Sequence, residues 1–401
     1  MKNNFRKKVL KNGMTILFEK RDVPVVSVAF TIKSGSLNES LGEKGINHFI
    51  EHMLYKGTVN RTNQDISMEI EKNGGEINGF TSEELVAYWC KMPADKLNVA
   101  LDVLGDIVRN PLFDEEELEK ERKVIFEEIK MRKDNPQIYS FDKVQETLYS
   151  GVLGVSGAGT EKTMNSITRK DIVKRFRELY ATNNLILIVV GNADFDKIVK
   201  FAEKNFVKGI GKIKKGKFGL KNEFVIEKRN GVDQANLVFA YHVPKVDNNK
   251  NYVAQILSAL MAEGMSSRLF IEIREKRNLA YAIKGGSDIN KNFAYNFIYV
   301  GTTKEKVKEV KNLIVKEFEK VSNSLDEKEL GEIKNQLIGQ WEIKMEDSQE
   351  QMVNLLVHEV CGNAYEFYEY DKNIKKVKLK DVKSMAKKVI KKHSFFALVP
   401  E

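Results

Sequence analysis

The order of secondary-structure signals repeats once along this chain, and that repeat narrows the folds open to it. Near the N-terminus two strand-like runs, residues 9–18 and 25–32, precede a helical stretch. Past residue 223 the same order returns, with strand-like runs at 224–228 and 235–242 followed by a helix over 249–262. Each copy also closes alike. A helix opened by Thr168-Arg169-Lys170-Asp171 leads to the strand 185–190, and one opened by Leu379-Lys380-Asp381-Val382 leads to the strand 395–399. The pattern predicts an α+β protein: two similar domains of about 200 residues, each a mostly antiparallel sheet packed with helices. The 401 residues are ample for two such cores. Residues 208–222 are rich in glycine and lysine, follow a helix and precede a strand. A phosphate-cradling loop needs the opposite order, so this stretch reads as a linker. The expected domains are 1–207 and 223–401.

Composition removes several function classes. Lysine far outnumbers arginine in the net charge of +9, and lysines interleave with acids along stretches such as 304–320. That is a solvated surface, so no nucleic acid is expected. No apolar run approaches the ~20 residues of a membrane span, so no membrane partner is expected either. The stretch from Met1 to Lys8 is basic but is followed by no signal-type apolar segment. Cys90 and Cys361 make neither a disulfide framework nor a Cys-x-x-Cys site. A cytoplasmic protein is the expectation.

The chemistry concentrates at His48-Phe49-Ile50-Glu51-His52. On a helix, His48 and His52 lie one turn apart on one face, spaced to share a zinc ion at ~2.0–2.1 Å. Glu51 sits beside the second ligand, where it can face a metal-bound water without binding the metal. Gly57 is expected to stop the helix. A third ligand is needed. His242 and His393 lack supporting context, and His358-Glu359 fails as a motif because position 362 is glycine. The helix predicted over 114–133 offers carboxylates. At 100° per residue, Glu121 and Glu128 fall in the sector of Leu118, Ile125 and Ile129, whereas Glu127 points away. Carboxylates on a core-facing stripe are costly unless paired or metal-bound. Glu128 is therefore assigned as the third ligand, and Glu121 as the acceptor for a ligand imidazole N–H. The second copy carries Val253-Ala254-Gln255-Ile256-Leu257 in the corresponding helix, so one zinc per chain is expected.

These residues resemble the inverted-motif zinc peptidases, the family of pitrilysin, insulin-degrading enzyme and mitochondrial processing peptidase. The blocks Met53-Leu54-Tyr55-Lys56-Gly57-Thr58, Asn78-Gly79-Phe80-Thr81 and Glu121-Arg122-Lys123-Val124-Ile125-Phe126-Glu127-Glu128 are similar to the family's, as is the stretch from Ser267 to Tyr281. The length is similar to that of its short bacterial members. The resemblance implies a peptidase in which zinc activates water and Glu51 acts as general base. It implies a peptide substrate added to the edge strand around 75–81, with Asn78 and Gly79 in contact. Arg274 and Tyr281, seven positions apart, match the family's contacts to substrate carbonyls. It also implies a homodimer enclosing a chamber. The alternative is a non-catalytic or partner-dependent subunit of a processing-peptidase-like complex.

Overall fold

Two sheets carry the fold, one in each of two units. A computed structural model describes residues 4–401; residues 1–3, the start of the basic N-terminal stretch, lie outside that range. Unit 1 takes residues up to Lys130, Val155–Lys217 and Lys344–Val360; unit 2 takes Met131–Gly154, Phe218–Ile343 and Cys361–Glu401.

The sheet of unit 1 contains β1 (Phe5–Val9), β2 (Thr15–Lys20), β3 (Val25–Ile32), β4 (Glu76–Thr81), β5 (Val86–Pro93) and β7 (Leu185–Gly191), in the spatial order β1-β2-β7-β3-β5-β4. The run at 9–18 is not one strand. It is the end of β1, a turn with Gly13 at φ +93°, and most of β2, with Val9 opposite Thr15. Asn12-Gly13 thus marks a true hairpin, and the strand before it begins earlier than the apolar pattern suggests. All seven residues of β7 are buried, as a central strand with an unbroken apolar run should be. Helices α1 (Ile46–Leu54), α2 (Asn63–Glu71), α3 (Leu97–Arg109), α6 (Glu161–Ser166), α7 (Arg169–Leu179) and α8 (Phe195–Asn205) belong to this unit, as does α4 (Glu115–Asp134) through Lys130. Helix α3 packs on β3 and β5, and α1 on β4 and β5.

Unit 2 opens with α5 (Pro136–Leu148) and β6 (Tyr149–Gly151), which pairs with β8 (Phe218–Leu220). Its main sheet has β9 (Phe224–Arg229), β10 (Ala235–His242), β11 (Ala282–Ile289), β12 (Ala294–Thr302) and β13 (Ser394–Pro400), in the order β11-β12-β10-β13-β9. Helices α9 (Asn251–Ala262), α10 (Val307–Ser324), α13 (Tyr370–Lys375) and α14 (Leu379–Lys391) complete it, with α11 (Glu327–Lys344) up to Ile343. The internal repeat is plain in the strand pairing. In unit 1, β2 runs parallel to β7, β7 is antiparallel to β3, and β5 and β4 follow. In unit 2, β9 runs parallel to β13, β13 is antiparallel to β10, and β12 and β11 follow. Only the hairpin partner β1 is extra. Helix α9 stands where α1 does in the repeat, and its buried residues from Val253 to Ala262 include no His, Cys, Asp or Glu.

The units draw on the chain in more pieces than a single cut at 208–222 does. Residues 208–217 lie against unit 1: Gly211 N–H donates to Asn183 Oδ1 at 2.7 Å, and a Cβ at Gly211 would fall 2.4 Å from the Glu178 carbonyl oxygen. Helix α12 (Ser348–Cys361), late in the sequence, belongs to unit 1 as far as Val360. The buried hydroxyls of Ser27 and Ser348 meet at 2.8 Å, Arg21 donates to the Met345 carbonyl at 2.9 Å, and Lys91 pairs with Asp347 at 2.6 Å. No helix among the described residues is long and apolar enough to cross a membrane.

Candidate metal centre

Helix α1 is nine residues long and starts on a built cap. Gly45 takes φ +92°, a conformation that glycine tolerates and other residues resist. The buried Glu39 carboxylate then accepts the N–H groups of Gly45 at 2.9 Å and Asn47 at 2.8 Å, two of the donors a helix start leaves without partners. Burial pushes the Glu39 carboxyl up to about 7, against the pull of Lys44 and the two N–H bonds. Lys44 Nζ lies 3.8 Å from it and donates to the Ser36 carbonyl at 2.8 Å. The helix ends at Leu54, one turn before Gly57, whose φ of +118° redirects the chain instead.

From this helix the two imidazoles project together. His48 Nε2 and His52 Nε2 are 3.3 Å apart, and each is 3.5 Å from Glu128 Oε2 on α4. Four ligands at zinc's usual ~2.0–2.1 Å would stand about 3.3 Å from one another at the corners of a tetrahedron. The donor set and its spacing therefore fit zinc with one corner left for water or substrate. Among the described residues this is the one cluster of three or more such side chains that could hold a metal ion.

The surrounding carboxylates divide by direction. Glu121, two turns before Glu128, is buried; His52 Nδ1–H donates to its Oε2 at 3.0 Å, and Lys56 Nζ lies 2.6 Å from its Oε1. That bond fixes the tautomer that turns His52 Nε2 toward Glu128. Glu127 is exposed. Burial alone would lower the His52 pKa, but its bonds to Glu121 and Glu128 outweigh burial and raise it to about 9 in the metal-free protein. The His52 bond holds Glu128 below the usual carboxylate range. For Glu121, burial works upward but the bonds from His52 and Lys56 prevail and hold it low.

Glu51, three residues after His48 on α1, is turned toward β4. It is buried, which pushes its carboxyl up, and Thr81 Oγ1 donates to its Oε2 at 2.5 Å. Its Oε1 reaches toward Gly79 on β4, where a Cβ would sit 3.2 Å from Oε1 and 2.7 Å from Tyr55 Oη. Gly79 is glycine because these two side chains occupy its place. The exposed Asn78 turns its Oδ1 to the Gly79 N–H at 2.8 Å, covering a donor of the edge strand. Thus the structure brings His48, Glu51, His52, Gly79, Glu121 and Glu128 together, with Asn78 next to them on β4.

Arg274 and Tyr281 lie in unit 2. Arg274 sits on a π-helical turn, Phe270–Glu275, with its guanidinium over the Phe270 ring at 4.8 Å. Tyr281 is 43% exposed and its ring lies flat on Gly301, where a Cβ would come 2.6 Å from Cε2. The other three histidines bond backbone carbonyls, His242 to Lys221, His358 to Asn354 and His393 to Val389.

Sequence reasoning missed Thr81, Lys56, Tyr55 and Glu39. Thr81 was within reach of it, two positions from Gly79 and so on the same strand face. Lys56 follows His52 by four residues, a helical neighbour by the same rule that paired the histidines. Glu39 gives no such signal, because its partners are backbone N–H groups.

Comparison with known proteins follows the same lines. The sequence profile described as "Insulinase (Peptidase family M16)" matches residues 15–161, and the one described as "Peptidase M16 inactive domain" matches 166–337. An uncharacterized zinc protease of Rickettsia felis is 34% identical over 348 residues, covering 84% of this chain and 83% of its own length. The uncharacterized zinc protease YmxG of Bacillus subtilis is 31% identical over 349 residues, covering 85% of each. In fold, the crystal structure of a protease from Helicobacter pylori is similar over 99% of this chain and 100% of its own, with a TM-score of 0.93 and 22% identity.

Proposed function

Because the chain belongs to the M16, or insulinase, family of peptidases, we propose that it is a zinc metalloendopeptidase that hydrolyses unfolded peptides. The observation that carries this reading is the triangle of His48 Nε2, His52 Nε2 and Glu128 Oε2, with sides of 3.3, 3.5 and 3.5 Å. Those three residues would hold one zinc ion, which when bound supplies a Lewis acid for the scissile carbonyl and lowers the pKa of water. The rest is done by the chain. Glu121 keeps the His52 proton on Nδ1. Glu51 takes the proton of the attacking water on Oε1, the oxygen left over by Thr81, and returns it to the departing amine. Its raised pKa suits a group that must both accept and release a proton.

Substrate would lie along the free edge of β4, displacing Asn78 from the Gly79 N–H. Backbone pairing of that kind reads few side chains and suits loosely specific cleavage. Arg274 and Tyr281 would hold substrate carbonyls, in a working unit of two chains. Light scattering that finds a fully active monomer contradicts the pairing.

The test is digestion of a quenched, unfolded peptide by the purified chain alone. Cleavage should stop with a chelator and return with zinc. Absence of cleavage by the zinc-loaded chain, or cleavage indifferent to chelation, overturns the reading.

A further inference from the structure

We propose that Lys56, acting by its charge on Glu121, restrains how tightly the centre holds its metal, an inference that rests on the zinc reading above. Lys56 lies past the end of α1, and its Nζ stands 2.6 Å from Glu121 Oε1 while His52 Nδ1 stands 3.0 Å from Glu121 Oε2. One carboxylate thus joins a ligand imidazole to an ammonium. Around the ligand triangle are three carboxylates, Glu51, Glu121 and Glu128, and Lys56 offsets one of them.

Two effects of losing Lys56 oppose each other. Freed of its ammonium, Glu121 could turn and loosen His52, which would weaken the centre. Glu121 nevertheless keeps its His52 bond and is 5% exposed, so packing still holds it. Against this, the neighbourhood of the metal gains a full negative charge. The Lys56 side chain is 28% exposed, so solvent screens part of its charge. What remains corresponds to about a threefold to tenfold change in affinity for a dication. Charge wins over position, and Lys56 weakens metal binding. What the centre gains is electrophilic strength, since carboxylates partly neutralised by Lys56 cancel less of the ion's charge at the substrate carbonyl.

The experiment is competition for zinc between a chromophoric chelator and the full chain, comparing the parent with Lys56→Met, Lys56→Gln and Lys56→Arg. Lys56→Met should bind zinc about three to ten times more tightly than the parent, and Lys56→Arg should match the parent within about twofold. Lys56→Gln, which keeps a polar head near Glu121, should tighten binding likewise and stands in if the methionine variant does not fold. A purely structural role would weaken binding in both neutral variants. Unchanged or weaker binding in them overturns the proposal while leaving the zinc reading intact. A parent chain that takes up no zinc overturns both.

Discussion

At the scale of single residues, direction decides the role of each acid. Glu121, Glu127 and Glu128 share one helix, yet the first bonds His52, the second faces solvent and the third meets both imidazoles. Helical periodicity separated them in the sequence, because a 100° step per residue is a property of the backbone. Periodicity places Thr81 on the strand face of Gly79 and Lys56 one turn after His52, but not which carboxylate each meets, since those contacts depend on side-chain reach. Two predictions belong here. In the metal-free protein His52 keeps its proton to about pH 9, held by Glu121 and Glu128 against burial. That proton must leave before Nε2 can bind a metal, so zinc affinity should climb as pH rises toward about 9, by close to tenfold per unit. Chelator competition at several pH values measures it, and a flat profile between pH ~7 and ~9 contradicts it. Gly79→Ala would drive a methyl against Tyr55 Oη and Glu51 Oε1. It should cut kcat by roughly a hundredfold, the contribution of a well-placed base, with zinc content unchanged. Near-normal turnover would remove Glu51's placement from the account.

At the scale of elements, α1, α4 and β4 carry the site, and α1 has a feature the sequence hid. Helix α1 was readable from its histidines, but its start rests on Glu39, six residues before Gly45, reached through a loop rather than a helical or strand period. Glu39→Ala strands two buried N–H groups and leaves the Lys44 ammonium without its carboxylate. Urea unfolding should register a loss of about 3–5 kcal/mol, typical of breaking one side of a buried ion pair. A loss below about 1 kcal/mol would mean that water or a rearranged loop replaces the cap. Strand β4 was expected as an edge, and it is one, with β5 on one side. If substrate pairs there through its backbone, N-methylation of alternate peptide amides should raise KM about tenfold or more, while swaps of side chains matter less. Equal KM values for methylated and plain peptides would place substrate elsewhere.

At the scale of the whole molecule, the repeat was legible because strand and helix order survives in the apolar pattern of both halves. The make-up of the units was less so. Nothing in the periodicity of residues 344–360 says that they complete unit 1, since ties such as Arg21 with Met345, Ser27 with Ser348, Lys91 with Asp347 and Lys7 with Glu359 join partners remote in sequence. Division of labour between the copies follows from one contrast: α1 presents two histidines and α9 presents apolar side chains in their place. One zinc per chain, held in unit 1 and used by Glu51, is therefore expected. The most direct measurement is zinc content and peptide turnover side by side for the parent chain and Glu51→Gln. Both proteins should hold one zinc, with chelator-sensitive cleavage in the parent and a loss of at least about a hundredfold in the variant. Undiminished cleavage by zinc-loaded Glu51→Gln would contradict that expectation.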